Sequence, residues 1–173
     1  MQFIKLPWLL YTGDKNWVPP LIFDVRKNLD PKRNPFFQHA EMEMFLAEKD
    51  GKLVGRIAAI KNDNHNKFHK DKAGFFGFFE SIDDEEVSDL LLDTACEWVK
   101  SKGFDEILGP VNPSTNDECG LLIDGFDSPP VFLMTYNPKH YQAKIEDFGF
   151  EKAKDLYAYY IPSEVINNRK VMD

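Results

Sequence analysis

Sulfur and positive charge are both scarce in this 173-residue chain. Its two cysteines, Cys96 and Cys119, are too few for a disulfide framework, so reduced thiols and a cytoplasmic location are expected. Lys and Arg number 21 against 29 Asp and Glu, a formal charge of −8. A surface so poor in cations excludes nucleic acid and anionic membrane as principal partners. No apolar run approaches the ~20 residues of a membrane span, and no secretory leader is legible. Of four histidines, only His65 and His69 stand at a spacing that could share a metal, and no third ligand lies near. They read as solvated loop residues, and no metal site is expected. A small-molecule ligand is the partner class these scarcities leave open.

What the chain has is a core. Hydrophobic residues make up 43% and phenylalanines number 15, enough for one domain over 1–162 with a tail or linker at 163–173. The opening "FIKLPWLLYTGDKNWVPPLIFDVRKNLDPKRNPFF" reads as two short helical pieces broken at Pro7, Pro19–Pro20 and Pro31. Trp8, Leu9, Tyr11 and Trp17 in it read as packing residues. "EMEMFLAEKDGKLVGRIAAIKN" alternates at period two around Asp50–Gly51, which signals a hairpin. "NDNHNKFHKDK" reads as a surface loop. In "AGFFGFFES" two glycines interrupt a strand, as happens where something approaches the backbone closely. "DDEEVSDLLLDTACEWVKSKG" is an amphipathic helix capped by Asp83, with Val87, Leu91, Ala95 and Trp98 on its apolar stripe and Cys96 beside it as a core thiol. A short strand, "FDEILGPV", leads into the polar stretch "GPVNPSTNDECGLLIDGFDSPP". "PPVFLMTYN" reads as a strand, "PKHYQAKIEDFG" as a helix and "FEKAKDLYAYYI" as a last strand. This interleaving implies an α/β (α+β) fold: a mixed, mostly antiparallel sheet flanked by helices.

That order, with the glycine-bearing strand before the main helix and the closing "IEDFGFEKAKDLYAY", resembles the GCN5-related N-acetyltransferase superfamily. The blocks "LPWLLYTGDKNWVPP", "NPFFQHAEMEMFLA", "GRIAAIKNDNHN", "GFFGFFE" and "YNPKHY" further resemble a group of uncharacterised bacterial acetyltransferase-like proteins about twice as long. The resemblance implies an N-terminal half lacking its first strand, which would pair with a second acetyltransferase-like domain or with another copy. It also implies acetyl transfer from acetyl-CoA to a small amine or amino-acid-like acceptor. The backbone of Phe76, Gly77, Phe78 and Phe79 would then meet the cofactor's pantetheine arm.

Two departures weigh against cofactor binding by this half. In the superfamily an Arg- and Gly-rich loop wraps the pyrophosphate at a helix N-terminus, whereas here the matching positions read "FFESIDDEEV". Glu80, Asp83, Asp84, Glu85 and Glu86 crowd the spot and repel an anion. Ile145 stands where the superfamily often has an acid tyrosine, with Tyr141 one turn earlier. Candidate bases are therefore Glu80, Asp117 and Glu118, and candidate acids Tyr136 and Tyr141.

Asn112, Ser114, Thr115, Asn116 and Asn137 offer donors and acceptors for an acceptor substrate at the end of a strand. Cys119 has no Cys–His–Asn spacing to make it a nucleophile. The alternative to an enzyme is a non-catalytic module that kept the fold, lost the cofactor loop and works with a second domain.

Overall fold

The computed structural model describes residues 1–162; the expected tail at 163–173 lies outside the described residues. Chain order gives α1 (Gln2–Leu10), α2 (Ile22–Asn28), β1 (Ala40–Lys49), β2 (Lys52–Asn62), α3 (Asp63–His69), β3 (Ala73–Ser81), α4 (Glu85–Ser101), β4 (Glu106–Leu108), β5 (Val111–Asn112), β6 (Glu118–Cys119) and α5 (His140–Asp147). A single 3₁₀ turn, Pro35–Gln38, precedes β1.

The sheet order is β1-β2-β3-β4. β1, β2 and β3 run antiparallel, and β4 joins β3 in parallel. This is the mixed, mostly antiparallel arrangement the sequence predicts. The β1–β2 hairpin closes at Asp50 and Gly51, both at positive φ (53° and 73°), the twist that tight hairpins require. β2 explains the layering. Ile57 and Ala59 pack towards α4 and α5, while Ala58 and Ile60 face α1 and α2. A strand covered on both faces loses the polar half of its alternation, hence the run "RIAAI". Ile57 is 0% exposed, a burial that contributes about 1.5–3 kcal/mol.

Several local expectations are corrected. α1 runs through Pro7 rather than breaking there. A proline removes the N–H that would bond the carbonyl four residues earlier; here that carbonyl, on Phe3, accepts from Arg56 Nη1 at 2.7 Å. A side chain from β2 thus replaces the missing helix bond. Residues 63–69 form a helix, not a loop, because the Asn62 side chain accepts from the N–H groups of Asn64 and His65 and Lys70 closes the end at φ 60°. α4 is N-capped at Asp84, one residue beyond the expected Asp83.

Leu9 is exposed, as are Met44 and Leu46 on β1, so the inward residues of that strand include Phe45 and Ala47 instead. The stretches 131–136 and 151–160 hold no strand. Their apolar residues face solvent, Phe132 at 89% and Tyr160 at 91% exposure. Alternation marks a strand only where a neighbouring edge pairs with it.

Candidate functional site

β3 and β4 pair only from Ala73–Glu106 to Phe75–Leu108; beyond that they part. On β3 the register to β2 shifts after Arg56 and Phe78 turns to φ 51°, a conformation rare for a bulky residue. On the other side the chain leaves β4 through Gly109 and lays β5 against the wedge. Gly77 makes this approach possible, since a Cβ there would collide with the Val111 carbonyl. Gly109 does the same beneath Phe76, whose carbonyl a Cβ would meet at 2.5 Å. The close approach that the strand glycines predict is made by the chain itself, by β5 at Gly77 and by the Val99 side chain of α4 at Gly74. The Phe78 N–H donates to Asn112 Oδ1 at 2.6 Å.

Deeper in the wedge sits a closed polar cluster. Glu80 Oε2 accepts from the Tyr11 hydroxyl at 2.9 Å and from the Tyr141 hydroxyl at 2.8 Å. Its other oxygen faces Arg56 Nη2 at 3.4 Å. The Ser81 N–H donates to Tyr141 Oη at 2.8 Å. Burial pushes the Glu80 carboxyl above the usual carboxylate range, against the pull of Arg56 and the two hydroxyls. Burial, and then the Glu80 charge, hold Tyr11 and Tyr141 well above the ordinary phenol range. Tyr141 is 1% exposed. It joins Glu80 as two candidates brought into contact, but with both groups sealed from solvent. Ile145 is a core residue beside it.

Around the N-terminus of α4, the acidic stretch consumes the cations within reach. Lys49 Nζ binds Asp84 at 2.7 Å and Glu86 at 2.9 Å, and Lys144 binds Asp83 at 3.3 Å. Lys49, and behind it the nearby N–H groups of Val87 and Glu86, hold the Asp84 carboxyl below its usual range. A CoA pyrophosphate needs free N–H groups and unpaired positive charge. Here carboxylates crowd the helix end and pair the nearby lysines, so the residues do not fit it. Of the backbone expected to meet a pantetheine arm, Phe76 and Gly77 pair with Ala59 and Ala58 of β2, Phe78 is held by Asn112, and Phe79 packs in the core.

The polar loop mostly bonds itself. Ser114 Oγ donates to Asp117 at 2.6 Å and accepts from the Asn116 N–H, while Thr115 and Asn116 point to solvent. Asn137 is buried, its Oδ1 accepting from the Leu122 N–H at 2.7 Å and its amide donating to the carbonyls of Leu122 and Pro138. The recess beside Ser114 and Thr115, against His65 and Phe75, measures about 10 Å³, room for no more than a water.

Glu118 lies opposite Asn112 across β5–β6. Partial desolvation raises its carboxyl although the residue keeps an exposed side. Tyr136 donates to Asp14 at 2.7 Å and tilts against Tyr11 with ring centres 5.9 Å apart. Its hydroxyl is pushed up to about 12, by desolvation first and then by Asp14. Burial also raises both cysteine thiols; Cys119 packs partly buried against the core, whereas Cys96, expected in the core, is only half-buried at its margin. The His65 and His69 rings lie tilted against each other with centres 4.3 Å apart, and among the described residues no group of three metal-ligating side chains forms. No described helix is long and apolar enough to cross a membrane.

Sequence reasoning missed Arg56 and underrated Tyr11. The signal for Arg56 was a single cation inside an otherwise apolar strand. That position is almost never occupied without a buried partner.

The sheet, its wedge and the flanking helices define the acetyltransferase type of fold. A solved aminoglycoside acetyltransferase from an uncultured soil metagenomic sample, in complex with sisomicin, superposes with a TM-score of 0.53 at 12% identity, covering 94% of this chain and 87% of that one. No family model matches the chain. Among curated proteins, the chain is 41% identical over 159 residues to the bacterial ceramide synthase of Caulobacter vibrioides (strain NA1000 / CB15N), covering 91% of this chain and 41% of that protein. It is 39% identical over 159 residues to Protein YghO of Escherichia coli (strain K12), covering 92% and 40%. The chain thus spans about two fifths of the length of these relatives.

Proposed function

We propose that residues 1–162 are one domain of an amide-forming N-acyltransferase. The observation that carries this reading is the combination of the fold with 41% identity along 91% of the chain to a protein named for ceramide synthesis. A ceramide is an amide of a fatty acid with a long-chain amino alcohol. The acceptor proposed is therefore a primary amine of that class, rather than the small amine the sequence alone suggests.

An amine becoming an amide must lose a proton. Of the three candidate carboxylates, Glu118 suits that role best: its pKa is raised and one side is exposed, whereas Glu80 is sealed and Asp117 is engaged by Ser114. Of the two candidate acids, Tyr136 keeps solvent contact and Tyr141 does not. Asn112, Ser114 and Asn137 then act mainly by shaping the loop that carries Glu118, while the Thr115 and Asn116 side chains stand exposed at its tip. Among the described residues β4 pairs only with β3, and its outer edge is the proposed contact for a second domain.

The test is amide formation from a fatty acyl thioester and a long-chain amino alcohol, read by mass spectrometry, using the intact protein to which this domain is proposed to belong. Product is expected, and Glu118→Gln should lower kcat by about 10²-fold or more, as removal of a general base does. No product across thioester chain lengths sinks the reading.

A further inference from the structure

We infer that this domain has replaced a bound acyl donor with its own side chains, so that the thioester used by the intact protein is held outside residues 1–162. The inference deepens the proposed function and rests on it only for the existence of a donor; the occupancy of the wedge stands by itself.

A wedge where two strands part exposes a row of N–H and C=O groups on the strand that continues, and an extended ligand could pair with them. Here that row is already used. Asn112 presents a carboxamide oxygen to the Phe78 N–H at 2.6 Å, and Tyr141 presents its hydroxyl to the Ser81 N–H at 2.8 Å. Both acceptors are neutral and built from the chain. They sit where the acceptors of a ligand's amides would otherwise lie.

Neither is a loose plug. Asn112 is fixed by β5, whose Val111 rests on Gly77 with no room for a side chain between them. Tyr141 is fixed by Glu80, which is itself held by Tyr11 and Arg56. Displacing Tyr141 would therefore take a hydrogen-bond donor from the buried Glu80 carboxyl, and a buried acceptor left short of partners is costly.

At the mouth of the wedge the electrostatics agree. Asp83, Asp84 and Glu86 have taken Lys49 and Lys144 as partners, which leaves Glu85 without a cation among the described ion pairs. A polyanion arriving there would have to displace carboxylates from the cations they already bind. Closure within the groove and repulsion at its mouth are independent obstacles, and they act on different parts of the same ligand.

The experiment is calorimetric titration of the purified 173-residue chain with acetyl-CoA and with CoA at low ionic strength, after a thermal melt has shown the chain to be folded. The expected result is no saturable heat and no shift of the melting temperature. Asn112→Ala should lower the melting temperature yet leave acetyl-CoA unbound, because the acidic mouth and Tyr141 remain. One-to-one binding in the micromolar range by the unaltered chain overturns the inference. Micromolar binding by Asn112→Ala alone overturns the acidic mouth and Tyr141 as obstacles in their own right and leaves Asn112 as the sole occupant.

Amide formation by the intact protein is scored separately. Product with no binding by this chain supports both proposals. No product with no binding removes the functional reading and leaves the filled wedge standing. Binding by this chain overturns the present inference whether or not product forms.

Discussion

Between residues 40 and 108 the backbone satisfies its own hydrogen bonds: strands pair in long registers and one 17-residue helix covers them. Between residues 109 and 162, outside the short β5–β6 pair and α5, single side chains do much of that work. Asn137 closes the loop on Leu122, Asn112 holds Phe78, Ser114 ties Asp117, and Tyr141 reaches back to Ser81. The first region draws stability from many equivalent contacts, so no one polar residue decides it. The second rests on a handful of bonds that each have no substitute. Arg56 is the exception that joins them, a charged residue inside the regular sheet that supports both the helix at Pro7 and the polar wedge.

Breaking Arg56 should have the largest effect. Arg56→Ala leaves Glu80 buried without its cation and the Phe3 carbonyl without a donor. Removing one partner of a buried pair costs about 3–5 kcal/mol, read as the drop in unfolding free energy in urea. The double change Arg56→Met with Glu80→Gln should recover most of that loss, because a neutral pair no longer leaves a charge stranded. If the single and double variants are equally unstable, Arg56 acts through packing against Phe3 and Phe78 rather than through charge.

The regular region was legible and the wedge was not, for a physical reason. Alternation in β1 and β2 and the stripe Val87–Leu91–Ala95 report burial, which depends on residue type averaged over many positions. Whether Asn112 binds a ligand or Phe78 depends on where one carboxamide lies in space, and residue type cannot encode that. The polar letters of the loop were readable as hydrogen-bonding groups, but their partners were not. Pro7 shows the same limit. Its cost is a local rule, while the group that relieves it, Arg56 on β2, lies 53 residues beyond the Phe3 carbonyl that it bonds. The strands expected at 131–136 and 151–160 failed likewise, since their pattern fits a sheet edge that the described residues do not bring to them.

A second effect sharpens the contrast through pH. Tyr11 and Tyr141 have pKa values raised above the ordinary 10.0 in the folded chain. Below pH 10 both are protonated in either state, and they contribute no pH dependence. Above it the unfolded chain releases their protons and the folded chain keeps them. Stability therefore falls as pH rises, by up to ~1.4 kcal/mol per pH unit for each tyrosine. Thermal melts between pH 10 and 11 should show this slope. Tyr141→Phe should flatten it by about half, even though that variant starts from lower stability at pH 7. An unchanged slope in both Tyr11→Phe and Tyr141→Phe would mean that the wedge opens to solvent before the chain unfolds.

The smallest effects test whether the loop is one unit or several. Asn137 makes three bonds to the backbone while 7% exposed, so Asn137→Ala strands the Leu122 N–H and should cost about 1–3 kcal/mol. Thr115 and Asn116 lie at the exposed tip, 22 and 21 residues earlier in the chain. Neither side chain makes a bond to the rest of the fold among the described hydrogen bonds, so Thr115→Ala and Asn116→Ala should each stay within about 0.5 kcal/mol. The two sites share no partner, and the double variant Asn137→Ala with Thr115→Ala should equal the sum of the singles. A departure from additivity would show that anchoring at Leu122 orders the tip that carries Asp117 and Glu118. The stability of Asn137 would then feed directly into the proposed base, and Asn137→Ala in the intact protein should lower kcat as well as the melting temperature. Additive costs with kcat unchanged would separate the two, leaving Asn137 to hold the loop's base and the β5–β6 pair alone to position Glu118.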